Sequence, residues 1–352
     1  MSVLDEVRLE KVRPRAAGRL LLHDRVALLA VLLVLLVGWM KVLDQGGYLV
    51  GPYDAEYLAA ALESFVPLCL LALAELLIIV SGRGGIDLSV GAIVSLTGMA
   101  FGFMVGEWGW PLWPSVPAAL AVGAALGSVN GFLVAVLGFP SLIATLATYY
   151  AYSSLALVSN GNAPISNKPV QELHDLTAYM ELPGALPAVP KHVFTFMLPC
   201  AVLVWLLVHR STYGRRLYAV GTNETAARFA GLPVSGVRFR AYTLAGLLSG
   251  VAAVVTVAQF ASARPDAGTV GNGMALPAIT IAVLGGVAIT GGVGRVGGVI
   301  VAALLVVWLN AGILLYFEGS EGGQYQLLAL GLLLVLSTLL NAVAQRRAGG
   351  RT

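Results

Sequence analysis

The polar residues with chemical potential in this chain are few, and most lie inside or beside long apolar runs. Residues 82–91, GRGGIDLSVG, put four glycines, Arg83 and Asp87 at the end of one such run. Hydrocarbon tolerates neither irregular backbone nor unpaired charge, because water is absent to satisfy them. A broken segment carrying a carboxylate must therefore face protein, water or a solute, and transport pathways are built from such segments. Glu75 lies about one and a half turns before the end of its run, too deep to snorkel to water. It is expected to turn into the interior and find a donor. Asp87 has two readings, as a helix N-cap for free backbone N–H groups or as pathway lining. Glu75 likewise reads as a structural hydrogen-bonding group or as pathway lining. With Ser89, Asn130, Thr145 and Thr148, and with Ser153 nearby, they form the candidate translocation set. Amides and hydroxyls of this kind offer weak, exchangeable hydrogen bonds to a neutral solute.

Covalent chemistry has no support in the sequence. His23, His174, His192 and His209 sit near the ends of apolar runs or between them, without metal-ligand spacing. Neither G-x-S-x-G nor H-E-x-x-H occurs, and the glycine-rich run 283–298, VLGGVAITGGVGRVGG, lacks the lysine of a phosphate-binding loop. No catalytic, cofactor-binding or metal-binding residue is expected. Cys69 and Cys200 lie in apolar runs and read as small core residues.

A second constellation is YAVGTNETAARFAGLP, residues 218–233. Thr222 or Asn223 can cap a helix start, Glu224 suits its positive end, and Gly231 with Pro233 stops it. The expected product is a short helix with Ala226, Ala227 and Ala230 on its surface, able to sit in a partner's groove. Gly221, Asn223, Glu224, Ala226, Ala227, Arg228 and Gly231 are the candidate docking residues.

The elements that must position these groups are membrane helices. The chain is 58% hydrophobic and 11% charged, with a mean hydropathy of +0.85, far from the composition of soluble domains. Apolar runs stand at 26–43, 57–80, 87–106, 113–137, 140–158, 192–209, 241–260, 275–290, 294–316 and 325–342. At roughly 20 residues per crossing they predict about ten spans in an all-α polytopic fold, with broken glycine-rich helices near the centre. Two segments, 159–191 and 210–240, fall outside the membrane. Ten spans put both termini on one side, together with Arg83, Arg295 and the arginines of 210–240. The positive-inside rule makes that side cytoplasmic. The predicted organisation is a cytoplasmic arm 1–25 leading to an uncleaved first span, a transmembrane domain 26–342 with an external loop 159–191 and a cytoplasmic loop 210–240, and a cytoplasmic tail 343–352. Gly123, Gly127 and Gly131, with the pairs Gly246–Gly250 and Gly294–Gly298, repeat every four residues and predict close helix packing.

Three blocks, GGIDLSVGAIVSL, YAVGTNETAARFAGLPVSGVRFRAYTLAGLLSGVA and AVLGGVAITGGVGRVGGVIVAALL, follow one another in this order. They resemble the permease subunits of bacterial ABC importers for monosaccharides of the ribose/xylose/galactose type, and the likeness covers roughly residues 70 to 340. The resemblance implies a non-enzymatic translocation subunit in the bacterial cytoplasmic (inner) membrane, dimeric with itself or a close homologue. It implies delivery of solute by an extracytoplasmic binding protein and ATP hydrolysis on a separate ABC ATPase with two fused nucleotide-binding domains, without nucleic acid. Residues 221–231 then map onto the loop that contacts the ATPase. Two departures bear on cargo. Gly273–Met274–Ala275–Leu276 lacks the acid of the family's Gly-x-Glu-Leu element, and Thr145–Leu146–Ala147–Thr148 replaces its T-L-G-T. Alternative cargoes are a nucleoside, an amino acid or a furanose signal; an ion-coupled secondary transporter with Glu75 as proton carrier is the rival of another class.

Overall fold

The structure is a computed structural model that describes residues 25–181, 183–184, 186–269, 273–317 and 321–349, with side chains up to residue 339. Most of the basic arm, 1–24, and residues 350–352 of the tail lie outside the described residues. Fourteen α-helices are described: α1 (Arg25–Gln45), α2 (Ala55–Ala60), α3 (Leu62–Val80), α4 (Val90–Gly102), α5 (Leu112–Gly131), α6 (Ser141–Ser159), α7 (Lys168–Gln171), α8 (Leu198–His209), α9 (Thr212–Thr222), α10 (Glu224–Phe229), α11 (Val234–Phe260), α12 (Ala275–Leu284), α13 (Val296–Tyr316) and α14 (Glu321–Gly349). A two-residue antiparallel pair, β1 (Tyr179–Met180) and β2 (Val189–Pro190), is the strand structure among the described residues.

Each of the ten apolar runs is helical, but they are not equally long. Eight segments are long and apolar enough to cross a membrane, and a ninth arises if Val193–His209 and α9, bent by 66° at their junction, count as one span. The run predicted at 275–290 makes only the 10-residue α12. It stops there because Gly285 and Gly286 follow and Gly286 is left-handed, with φ +95°. Conversely, α11 begins at Val234, immediately after Pro233, and so takes Arg238 and Arg240 out of the loop predicted at 210–240 and into its first two turns. Proline favours a helix start because its missing N–H would be unpaired there anyway.

α3 and α11 form the centre, and 83% of each span is buried within the protein. α11 lies along α5, α3 and α4. The glycine ladders explain how closely. A Cβ on Gly127 would stand 2.8 Å from the Cα of Gly246, and one on Gly123 would stand 2.9 Å from the Cα of Gly250. Backbone therefore meets backbone, and dispersion contact replaces the hydrophobic drive that lipid removes. At the periphery, α1 and α14 bury little of their surface and present leucine and valine outward, as lipid-facing helices must. Cys69 is buried and Cys200 partly buried, both unpaired.

The external loop predicted at 159–191 is packed rather than open. The Ile165 amide donates to the Ala263 carbonyl at 2.9 Å and the Ala263 amide returns the bond at 2.8 Å. Asn167 Nδ2 donates to the Gly106 carbonyl at 2.8 Å. These contacts gather 103–108, 160–180 and 261–266 at one end of the bundle.

Candidate translocation and coupling sites

The break after α3 is a tight left-handed turn. Gly82, Arg83 and Gly84 have φ of +80°, +59° and +64°, a run that glycine enters freely and an L-residue resists. Arg83 holds this strained conformation on the exposed rim, while the chain beyond it returns to the interior. There the Ser89 amide and hydroxyl donate to Asp87 Oδ1 at 2.8 and 2.6 Å. Asn130 Nδ2, from α5, donates to Asp87 Oδ2 at 3.0 Å and to Ser89 Oγ at 2.7 Å. From α6, Thr145 Oγ1 receives the Leu88 amide at 3.2 Å, and Ser141 Oγ donates to the Gly84 carbonyl at 2.8 Å. Glu75 Oε2 receives the Asp87 amide at 3.4 Å. Thr148 Oγ1 donates one turn back to the Thr145 carbonyl at 3.1 Å.

Five of the six predicted pathway residues thus converge on residues 84–89, and Thr148 abuts them. All six are buried in this conformation, Glu75, Ser89, Asn130 and Thr145 completely. Their hydrogen bonds anchor the irregular segment to three helices, which satisfies backbone groups that hydrocarbon leaves unpaired. The N-cap reading of Asp87 needs correction in register: α4 begins at Val90 with Ser89 as its flanking residue. Asp87 braces the turn two residues earlier. Glu75 Oε1, Asn130 Oδ1 and the hydroxyls of Ser153 and Tyr242 have no partner among the described residues. Ser141 and Tyr242 did not stand out in the sequence. Ser141 follows Pro140 and starts α6, a position that suggests only a cap. Tyr242 was hidden in an apolar helix.

The short helix forms as predicted. Asn223 Oδ1 receives the Ala226 amide at 2.9 Å, and the helix ends where the Gly231 and Leu232 amides donate to the Arg228 and Ala227 carbonyls, with Gly231 left-handed at φ +75°. One face was misassigned. Ala227 is buried beneath α10 instead of exposed on it, because α10 lies on the bundle through that side. Ala226 and Ala230 are exposed. The prominent group is Phe229, 90% exposed, which the small-residue pattern did not single out. Arg228 bonds Glu224 Oε1 at 2.6 Å on the exposed side. Arg238 of α11, 2% exposed, bonds Glu224 Oε2 at 3.0 Å. Partial burial pushes the Glu224 carboxyl up, but hydrogen bonds from Arg228 and Arg238 outweigh it and hold the group below the usual carboxylate range.

The two glycine breaks and the end of α9 meet. The Gly292 amide donates to the Val80 carbonyl at 3.0 Å, and Tyr218 of α9 donates to the Gly294 carbonyl at 2.6 Å. A Cβ on Gly82 would lie 2.9 Å from the Cα of Gly221, and a Cβ on Gly221 would lie 2.6 Å from the Gly292 nitrogen. Gly221, singled out as a docking residue, therefore sits at a three-way backbone junction and is not on the outer surface of the short helix. Only hydrogen in place of a side chain allows the three segments this approach.

A bundle of long apolar helices in which two glycine breaks meet the end of α9, beside a short capped helix, is the architecture of a multi-pass membrane permease. The chain belongs to the family described as branched-chain amino acid transport system / permease component, which matches residues 57–338. It is similar to the autoinducer 2 import system permease protein LsrD of Klebsiella pneumoniae, 38% identical over 74% of this chain and 76% of that protein. It is also similar to the ribose import permease protein RbsC of Escherichia coli K12, 35% identical over 73% of this chain and 77% of that protein. No solved structure matches it. The resemblance seen in the three sequence blocks is thereby borne out.

Proposed function

We propose that the chain is the translocation subunit of an ATP-driven importer for a monosaccharide or a similarly hydroxylated neutral solute, working as a pair with itself or a close homologue. It accepts solute from an extracytoplasmic binding protein. It is driven by separate ATPase domains docked at α10. In this reading ten apolar segments cross or enter the bilayer, both termini are cytoplasmic, and α9–α10 lie on the cytoplasmic side. The observation that carries the reading is α10 itself: a capped six-residue helix that follows directly on α9, whose end meets both glycine breaks, and that presents Phe229 to solvent. An exposed aromatic on a short rigid helix, next to the exposed Arg228, is suited to anchor an interface. The likeness to permeases named for ribose and autoinducer 2 import favours a hydroxylated cargo.

Two consequences separate this reading from its rivals. An amino-acid cargo would call for a free cation in the core, whereas the buried Arg238 is paired with Glu224. A secondary transporter with Glu75 as proton carrier leaves α10 without a purpose. The test is uptake into proteoliposomes holding the permease, its ATPase and its binding protein. Transport should require ATP and should persist when the proton gradient is collapsed. Phe229→Asp should release the ATPase in pull-down and cut uptake by at least tenfold, as loss of an interface anchor worth about 2 kcal/mol or more implies. Gradient-driven uptake without the ATPase would overturn the assignment.

A further inference from the structure

Arg238 is the one buried arginine among the described residues, and by sequence it reads only as positive charge in a loop. Its position is unusual in what it bridges. A single nitrogen, Nη2, donates to Glu224 Oε2 at 3.0 Å and to the Ser81 carbonyl at 3.3 Å. Glu224 is the first residue of α10. Ser81 is the residue at which α3 ends and the left-handed turn begins. Arg238 itself belongs to α11, the most buried helix with α3. Its Nε is buried and has no partner among the described residues.

We infer that Arg238 is a positioning residue that carries movement of α10 into the break after α3. This deepens the proposed function and rests on that reading for the origin of the movement. The physical argument has three parts. First, a charge in so buried a place is held only by its partners, so losing either contact is costly and the two partners move together or not at all. Second, Ser81 leads directly into 84–89, the segment held by Asp87, Asn130 and Thr145. A displacement at its carbonyl is therefore imposed on the buried polar network. Third, Tyr242 lies one turn further along α11 and is completely buried, and α11 runs along α3 and α5, the helices that carry Glu75 and Asn130. The helix that holds α10 through Arg238 thus also packs on the helices that hold the polar centre. The Gly82–Gly221–Gly292 junction supplies the fulcrum, since backbone packed on backbone transmits displacement with little compliance.

The discriminating measurement is solute imported per ATP hydrolysed by the complete transporter in proteoliposomes. Arg238→Met preserves the length and apolar stem of the side chain while removing both hydrogen bonds. It is expected to keep the ATPase bound and hydrolysing while import per ATP falls about tenfold, a coupling loss of the usual size. Arg238→Lys should recover most of the ratio, because one nitrogen makes both contacts and an ammonium has three donors. Glu224→Gln should show a partial loss, and combining it with Arg238→Met should add little, since both cut the same link. If Arg238→Met cannot be recovered as a monodisperse protein, Glu224→Gln and Arg238→Lys decide the matter by the same ratio. Unchanged import per ATP in the variants, or a fall in protein yield alone, overturns the inference while leaving the importer reading intact. A wild-type permease that never engages the ATPase overturns the importer reading itself.

Discussion

Asp87 shows how one residue holds an irregular backbone inside a membrane protein. It accepts from the Ser89 amide, the Ser89 hydroxyl and Asn130, while its own amide donates to Glu75. Asp87→Ala removes the acceptor for all three donors, each buried donor left unpaired costing about 1–3 kcal/mol. The expected outcome is a sharp drop in the amount of folded protein recovered from membranes, with solute preference unchanged in what remains. Quantitative immunoblotting of the membrane fraction, with competition uptake by related sugars, checks both halves; normal protein level with altered preference would move Asp87 from brace to solute ligand. At Phe229 the exposure is the signal. An aromatic side chain 90% exposed at the end of a six-residue helix buries almost nothing against the described residues.

At the scale of elements, the packing of α5 on α11 depends on glycine at particular heights. Gly127→Leu drives its Cβ into the backbone at Tyr242 and Gly246. Overpacking of a fixed core costs about 1–3 kcal/mol and more where the obstacle is backbone. The variant should lose thermal stability in detergent by several degrees at least, measured by fluorescence-detected gel filtration after heating. Gly38→Leu on α1, where an added Cβ meets nothing, should be neutral in the same assay. For α10, the pH response follows from Glu224. Its carboxyl is held below the ordinary value, so the ionised form is favoured by folding. The stabilisation is full above the unfolded value near 4.5 and is lost as pH falls through the lowered one. Hydrogen exchange of the amides at 224–232 should therefore be independent of pH-linked unseating between neutral pH and about 5, and protection should fall in stronger acid. Glu224→Gln should abolish that acid transition.

At the scale of the molecule, contacts sort the non-helical segments into two ends. The breaks at 81–89 and 285–295 and the helices α9 and α10 meet at one. Residues 103–108, 160–180 and 261–266 meet at the other. In the orientation proposed above the first end is cytoplasmic. With Cys200 replaced by serine, Arg83→Cys should react with a membrane-impermeant maleimide in inverted vesicles and not in intact cells. Lys168→Cys, exposed on α7, should show the opposite pattern. Labelling of both from the same side would break the proposed topology.

The sequence alone determined that this chain lives in a bilayer, where its helices run, and which segments are broken. Those properties follow from local composition: apolar length, glycine clusters and caps act within a few residues. The capped helix at 224–229 was legible for that reason, because Asn223, Glu224 and Gly231 act on their own neighbours. Which face of that helix points outward was not legible. Ala227 and Phe229 differ by two positions on a short helix, and only the seat against the bundle decides between them. Arg238 likewise reads as one more loop arginine until α11 is seen to begin at Val234 and to bury it. Most of the predicted polar set is drawn to one short segment, but residues as far apart as Asp87 and Asn130 share a hydrogen bond only because α5 is held there by glycine-on-glycine contact with α11. Periodicity fixes the direction of a side chain within its helix. The rotation and depth of that helix among its neighbours come from packing, which is decided by the whole bundle at once.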